Sequence, residues 1–308
     1  VLITVRNRNM TNTESPSTWV LIPVHNRCEI TTQCLNHLKE TQEWENFNVL
    51  VIDDGSTDGT QKAIKEDFLT VTILQANGSL WWGGSIRYGM EYAKNEGADV
   101  FIWLNDDVLP EPGGVTKLAN KTYELGDTVL TTRVEVDSEF RDQSYLSDLS
   151  IGGIQLLSSS YSTCEIKTRL GMRLSPYDTT EQIQSCDATA GKFTAFPVEI
   201  VENIGYPNDE LFPHNYCDHD YTLRAKEQGF NVGVYTDVSA RDTGHELTGS
   251  RLSSEISLKE VVKSSFHPSV NETYNIQTRY RRYMRFYGPP KLISYLVFTL
   301  YLIVSCVI

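Results

Sequence analysis

The sequence predicts an α/β fold with a mostly parallel central sheet and helices on both faces. Over the first hundred residues, apolar runs of strand length alternate with amphipathic stretches of helix length. Three of the strand-like runs lead into polar clusters, at Pro23–Asn26, Asp53–Asp54 and Asp106–Asp107. A β-α-β-α-β-α-β order joined by right-handed crossovers makes the strands parallel. Their carboxyl ends then share one rim, the edge where open α/β sheets bind ligands.

The elements follow in order. Trp19 to Val24 is an apolar strand, and Arg27 to about Glu40 a helix with Ile30, Cys34, Leu35 and Leu38 on one face. Asn48 to Ile52 is a second strand, ending in Asp53-Asp54-Gly55, followed by a helix from about Thr57 to Asp67. A third strand spans Thr70 to Leu74. A glycine-bearing loop, Asn77 to Gly84, then opens a helix reaching about Asn95. Asp99 to Leu104 (DVFIWL) is rich in β-branched and aromatic residues and reads as a buried strand delivering Asp106 and Asp107 to the rim. Beyond it, Pro112 and the following glycines start a helix ending near Gly126, then strand-like segments follow. The polar stretch Ser158 to Ser185 reads as a flexible loop. Order returns at Asp187 to Phe196, Pro197 suits the start of a helix over Val198–Asn203, and Gly205 stops it. A last helix runs from about Asp218 to Gln228, with Gly229 as its stop. The organisation expected is an N-terminal extension (1–18), a first half (19–110), a second half (111–250) and a C-terminal tail (251–308).

Net charge bounds the partners. Lys plus Arg is 27 against 40 Asp plus Glu, a net charge of −13, which argues against nucleic-acid binding as the main function. An acidic protein that handles an anionic ligand needs local neutralisation, and two adjacent carboxylates such as Asp106-Asp107 suit a divalent cation carrying phosphate oxygens. The six cysteines (Cys28, Cys34, Cys164, Cys186, Cys217, Cys306) have no C-x-x-C spacing and read as reduced thiols in a cytoplasmic compartment, without structural zinc. In that compartment the sequons at Asn77, Asn120 and Asn271 read as chance. Met10 reads as a plausible start, with residues 1–9 as an extension. At the other end, Arg279, Arg281, Arg282, Arg285 and Lys291 precede Leu292–Ile308, 17 residues without a charge. As a helix that run is about 25 Å long, just short of a usual membrane span. Basic residues beside it suit an anionic cytoplasmic membrane face, whether the run spans, lies on the surface or packs in the core.

Several nucleotide motifs fail. Counting Asp54 as position 1 of a calcium loop, position 12 is Lys65, where a bidentate Glu is required. No G-x-x-x-x-G-K-[ST] exists, and the first strand-helix turn reads PVHNR rather than a dinucleotide fingerprint.

Taken together, IPVHNR (22–27), VIDDGSTDGT (51–60), NGSLWWGGSIRYG (77–89) and LNDDV (104–108) resemble family 2 of the glycosyltransferases, in order, spacing and strand-end placement. The resemblance covers residues 19 to about 250 and implies the GT-A fold: a Rossmann-like, mostly parallel sheet with a nucleotide-binding half and an acceptor-binding half. It implies that Pro23, Val24 and Asn26 line the base pocket, that Asp54 accepts from the N3–H of uracil or thymine, and that Asp53 holds the loop or the ribose. It implies further that Gly83 and Gly84 let backbone approach the donor, that Arg87 meets the base or diphosphate, and that Asp106 faces the ribose. Asp107 would ligate Mg2+ or Mn2+ on the diphosphate, with His245, in DTGHELTGS, as a metal or diphosphate contact. Residues 205–229 resemble the acceptor-side segment, in which the usual E-D-x-D stands here as Cys217-Asp218-His219-Asp220. Asp218 takes the general base position, with Asp220 as fallback. The Trp-Trp-Gly-Gly run is similar to that of rhamnosyltransferases.

The implied activity is inverting, metal-dependent transfer from a UDP- or dTDP-linked sugar to a carbohydrate or lipid-linked acceptor, as in surface-polysaccharide or glycolipid assembly. Two other readings stand beside it. A sugar-phosphate nucleotidyltransferase would carry a glycine- and arginine-rich loop where PVHNR stands. A non-catalytic sugar-binding module would not need Asp54, Asp107 and Asp218 all intact.

Overall fold

The computed structural model describes residues 15–41, 44–136 and 180–243, four short strands between 150 and 174, and Arg285. The first strand, β1 (Thr18–Val24), is buried along almost its whole length. Its side chains alternate between two cores, because successive strand residues face opposite sides of a sheet. Val20, Ile22 and Val24 join one apolar cluster with Leu35, Leu38, Ile64 and Leu118. Trp19 and Leu21 join another with Ile86, Met90 and Tyr221. The helices α1 (Cys28–Thr41), α2 (Thr60–Asp67) and α4 (Gly114–Leu125) therefore cover one face, and α3 (Trp81–Asn95), α5 (Glu199–Ile204) and α6 (Cys217–Glu227) the other.

β1 pairs in parallel with β2 (Asn48–Asp53) on one side and β4 (Val100–Leu104) on the other, and β2 pairs in parallel with β3 (Thr72–Gln75). The register puts Val24 beside Asp53 and Leu21 beside Trp103, so the polar ends of β1, β2 and β4 reach one rim, as expected. The second half departs from a mostly parallel sheet. β12 (Phe193–Pro197) runs antiparallel to both β4 and β6 (Thr128–Val136), while β13 (Asn231–Asp242) is parallel to β6. The reversal has a consequence for the site. Phe193 pairs with Leu104, so the residues just before β12 arrive at the carboxyl end of β4. β5 (Val108–Pro110) pairs antiparallel with β13, Val108 opposite Asp242, which carries the end of β13 to the same rim. β11 (Ile183–Ser185) closes the sheet's edge against β13. One continuous sheet thus crosses the expected boundary at residue 110.

Several boundaries shift for local reasons. α2 begins at Thr60 rather than Thr57, because the Ser56 N–H donates to Asp53 and the Thr57 N–H to Asn26, and both residues are held in the turn. Pro197 ends β12, opposite Val100, rather than starting the helix. The stretch read as a flexible loop, 158–185, contains the antiparallel pair β9 (Glu165–Thr168) and β10 (Gly171–Leu174) as well as β11. A shorter antiparallel pair, β7 (Ser150–Ile151) with β8 (Ile154–Gln155), precedes it. Cysteine usage differs too: Cys28, Cys34 and Cys217 are free thiols, but Cys186 is disulfide-bonded, which corrects the expectation that all six are reduced. Among the described residues no helix is long and apolar enough to cross a membrane. Leu292–Ile308 lies outside them.

Candidate active site

The turns after β1 and β2 are laced together. Asn26 has a positive φ of 52°, a conformation Asn tolerates better than most residues. Its N–H donates to Ser56 Oγ, and its Oδ1 accepts from the Thr57 N–H at 2.7 Å. His25 Nδ1 donates to the Asp54 carbonyl, and Asp58 Oδ2 accepts the orphan Cys28 N–H at the start of α1. Asp58 is held below the ordinary carboxylate value: its slight burial would raise it, but bonds from Thr60 and the Cys28 N–H prevail.

The two acids of the first pair do different work. Asp53 is buried, with Oδ1 accepting from the Ser56 N–H and Oδ2 without a hydrogen-bond partner. Asp54 holds the next loop: Oδ1 accepts from the Gly78 N–H and Oδ2 from the Trp81 N–H, both at 2.8 Å. Those bonds fix the start of α3 at Trp81, which has a left-handed φ of 57°. Gly83 and Gly84 consequently lie inside the helix rather than in a loop. The backbone that approaches Gly83 is the protein's own. Its N–H donates to the Pro213 carbonyl at 2.8 Å, and a Cβ there would stand 2.8 Å from the Phe212 carbonyl oxygen. Arg87, one turn on, pairs with Glu91 and with Asp209 at 2.9 Å, tying α3 to the segment before α6.

At the end of β4, Asp106 is 4% exposed and Asp107 13%, so the second acid is the one that reaches the rim. Thr31 donates to Asp106 Oδ2 at 2.9 Å. Burial pushes the Asp106 carboxyl up to about 7 against the pull of Arg27, and the Asp107 charge adds to the rise. Arg27 bridges the pair, with Nη2 2.8 Å from Asp107 and Nε 3.2 Å from Asp106. From the other half, Lys192 pairs with Asp242 at 2.6 Å, and the Asp107 carbonyl accepts from the N–H and hydroxyl of Thr243. His245 is two residues further on, outside the described residues.

Asp218 lies in the first turn of α6 and is joined to this rim by a short chain of contacts. The Trp82 indole N–H donates to Asn105 Oδ1 at 3.0 Å, and Asn105 directly precedes Asp106. The Trp82 ring lies over Gly191, where a Cβ would stand 2.8 Å from Cη2. The Gly191 N–H in turn donates to Asp218 Oδ2 at 2.8 Å. Asp218 Oδ1 accepts from the N–H and Nδ1–H of His219. Burial would raise the Asp218 carboxyl, but the charge and hydrogen bond of His219 and the two backbone donors outweigh it and hold it low. A carboxylate kept ionised, with lone pairs to spare, can accept a proton from a hydroxyl. Asp220 cannot serve as readily. It is 3% exposed and held between Arg224 at 3.0 Å and Arg285 at 2.7 Å.

What the rim offers a divalent ion is a single carboxylate, Asp107. Among the described residues no three His, Cys, Asp or Glu side chains are gathered to hold a metal. Hard cations such as Mg2+ commonly take one or two carboxylates and complete their shell with substrate phosphates and water, which the Asp107 carboxylate at the rim suits. Sequence reasoning did not assign Arg27, Lys192, Gly191, His219 or Asp242. Arg27 does close the IPVHNR block, and Gly191-Lys192 interrupts DATAGKFTAF just ahead of a strand, two signals that mark turns at the rim.

A family model, "Glycosyl transferase family 2", matches residues 19–193. The chain belongs to this family. No curated protein matches it. Among solved structures, GalNAc-T7 with UDP, GalNAc and Mn2+ aligns with a TM-score of 0.59 at 12% identity, over 75% of this chain and 44% of that one. TarS of S. aureus (residues 1–349, with UDP-GlcNAc) aligns with a TM-score of 0.51 at 16% identity, over 87% and 72%. The mannosyltransferase PcManGT of Pyrobaculum calidifontis, with GDP-Man and Mn2+, gives 0.50 at 17%, over 82% and 62%. At such identities the likeness establishes the fold, a GT-A glycosyltransferase fold, and the chain spans under half the length of GalNAc-T7.

Proposed function

We propose that this family 2 glycosyltransferase is inverting and metal-dependent, moving a sugar from a UDP- or dTDP-linked donor to a hydroxyl of a carbohydrate or lipid-linked acceptor. The observation that carries the reading is Asp218: a carboxylate held low, bonded to Gly191 and joined through Trp82 and Asn105 to the Asp106-Asp107 turn. In this reading a base on one side of the reacting sugar and acids for the diphosphate on the other suit a single displacement with inversion.

Residues 19–110 form the donor half in this reading. Pro23, Val24 and Asn26 border the base, and Asp53, with its unpartnered Oδ2, offers an acceptor to the ribose or base. Asp54 fixes the Gly78–Trp81 loop with one lone pair on each oxygen and keeps others for the imide N–H of uracil or thymine. Asp107, with His245 as a second candidate, would hold Mg2+ or Mn2+, which supplies charge neutralisation to the departing nucleoside diphosphate. Residues 111–250 form the acceptor half. Asp218 takes the proton of the acceptor hydroxyl, and that oxygen attacks the anomeric carbon from the face opposite the diphosphate. Trp82 and Gly191 fix the carboxylate's position. The basic residues ahead of Leu292–Ile308 support a peripheral contact at the cytoplasmic membrane face and a role in polysaccharide or glycolipid assembly.

A thermal-shift screen of UDP-, dTDP- and GDP-sugars with and without Mn2+ tests the donor, since a ligand of the folded state raises the melting temperature. The anomeric configuration of the product, read by NMR, tests inversion. Release of nucleoside diphosphate without pyrophosphate excludes nucleotidyl transfer. Asp218→Asn is expected to lower kcat by about 10²-fold or more while donor binding persists. Near-normal turnover in that variant would refute the assignment of the base.

A further inference from the structure

Arg27 is the last residue before α1, and its guanidinium reaches across the rim to β4. Its Nη2 donates to Asp107 Oδ2 at 2.8 Å, a directed hydrogen bond. Its Nε faces Asp106 Oδ2 at 3.2 Å, close enough for strong attraction but without hydrogen-bond geometry. That Asp106 oxygen already takes the Thr31 hydroxyl. The arginine side chain is only 23% exposed, so the pairing is not a loose surface contact. Asp242 adds a third negative charge in range of Arg27, while itself paired with Lys192. The carboxylate that reaches the rim therefore already carries a cation, and the geometry leaves the same side chain two claims on it.

A divalent ion on Asp107 and a guanidinium on Asp107 repel each other, and a partly buried setting screens them weakly. A nucleoside diphosphate removes the conflict. Its phosphate oxygens offer the planar guanidinium the paired acceptors that such a fork binds best. We propose that Arg27 is a resident counter-cation for Asp107, one that keeps divalent-ion affinity low in the donor-free protein and transfers to the diphosphate when donor and ion enter together. Metal and donor then bind with strong mutual dependence. Thr31 and the backbone turn hold Asp106 in place during the exchange, so that only one arm of the arginine contact must break. The inference rests on the reading of Asp107 as the metal ligand.

Mn2+ binding to the full chain, followed by electron paramagnetic resonance of the free ion with and without UDP, separates the two. In Arg27→Gln, Mn2+ alone is expected to bind about fivefold tighter than in the wild type, and the gain in Mn2+ affinity caused by UDP is expected to shrink. Mn2+ alone should also raise the melting temperature of Arg27→Gln more than that of the wild type, a rescue that a merely structural arginine would not produce. Mn2+ affinity without UDP that is unchanged or weaker in Arg27→Gln overturns the proposal. Asp107→Asn is the control for the reading beneath it. If that variant loses Mn2+ while Arg27→Gln behaves as wild type, only the counter-cation role falls. If Asp107→Asn retains wild-type Mn2+ binding, the metal-site reading and the proposal fall together. Should Arg27→Gln fail to fold, Arg27→Lys carries the test. Its single point charge cannot serve both carboxylates at once, so donor-free Mn2+ binding about twofold tighter than wild type is expected, and no gain refutes the idea.

Discussion

Replacing Gly191 by alanine tests the base while leaving Asp218 itself in the sequence. A Cβ at this position would stand 2.8 Å from Trp82 Cη2, 3.0 Å from Trp103 Cε3 and 3.0 Å from Asp218 Cβ. Carbon atoms rest at about 3.5–4.0 Å, so the methyl group is short of room by roughly 0.5–1 Å on three sides. The neighbours differ in how far they can yield. Trp103 is fully buried and packed at 4.1 Å against Phe196, and Trp82 is pinned by Asn105 and by its edge contact with Trp103. Asp218 retains 20% of its side-chain exposure and is the one with space to retreat. The strain therefore falls on the carboxylate and on its bond from the Gly191 N–H. A displacement of about 1 Å at a reacting group costs on the order of 10²-fold in rate. Overpacking itself costs about 1–3 kcal/mol, which for a protein of this size lowers the melting temperature by roughly 2–10 °C. Initial rates of nucleoside diphosphate release should show kcat down about 100-fold with the donor KM little changed, the pattern of an interaction made in the transition state. A Gly191→Ala enzyme that melts earlier but turns over at the wild-type rate would refute the reasoning, because Gly191 would then only pack and Asp218 would not be the base.

Further predictions concern Asp218, His219, Gly83 and Gly84. Asp218 must be ionised to accept a proton and is held low, so the acid limb that it gives kcat should lie below the ordinary carboxylate range, apart from any change near 7 set by Asp106. His219→Ala removes the charge and the Nδ1–H bond that oppose burial, so the acid limb should move to higher pH; an unmoved limb would sink the role given to His219. Gly83→Ala puts a methyl group 2.8 and 2.9 Å from the Phe212 and Pro213 carbonyl oxygens, both backbone, and should destabilise by about 1–3 kcal/mol in a denaturant melt. Gly84→Ala meets its nearest atom, Leu80 Cβ, at 3.2 Å and gains helix propensity, so its melt should stay near wild type; equal losses in the two variants would mean the segment before α6 does not press on Gly83.

Much of the first half, residues 19–110, was legible in the chain. Val20, Ile22 and Val24 alternate with Trp19 and Leu21, so β1 had to be buried on both faces, and such strands occur in parallel sheets covered by helices. Strand direction then sent Asp53-Asp54 and Asp106-Asp107 to one rim without reference to any partner. The boundaries that moved, at Thr60 and at Trp81, moved because side chains of other elements captured the backbone there: Asn26 took the Thr57 N–H, and Asp54 took the Gly78 and Trp81 N–H groups. Periodicity carries no trace of such bonds, since 24 or more residues separate donor from acceptor.

Local pattern was enough for the order of elements, the apolar faces and the polar strand ends, because each depends on neighbours within a few positions. That β12 turns antiparallel to β4, delivering Gly191 and Lys192 to the acidic turn, and that Arg27 meets Asp107 across 80 residues of chain came from long-range pairing. The tertiary structure also separated two acids of one helix, giving Asp220 to Arg224 and Arg285 and Asp218 to the Gly191 N–H. The physical reason is that a carboxylate's role follows from its burial and from which donors surround it, and those donors come from strands whose pairing is set by the folded sheet as a whole.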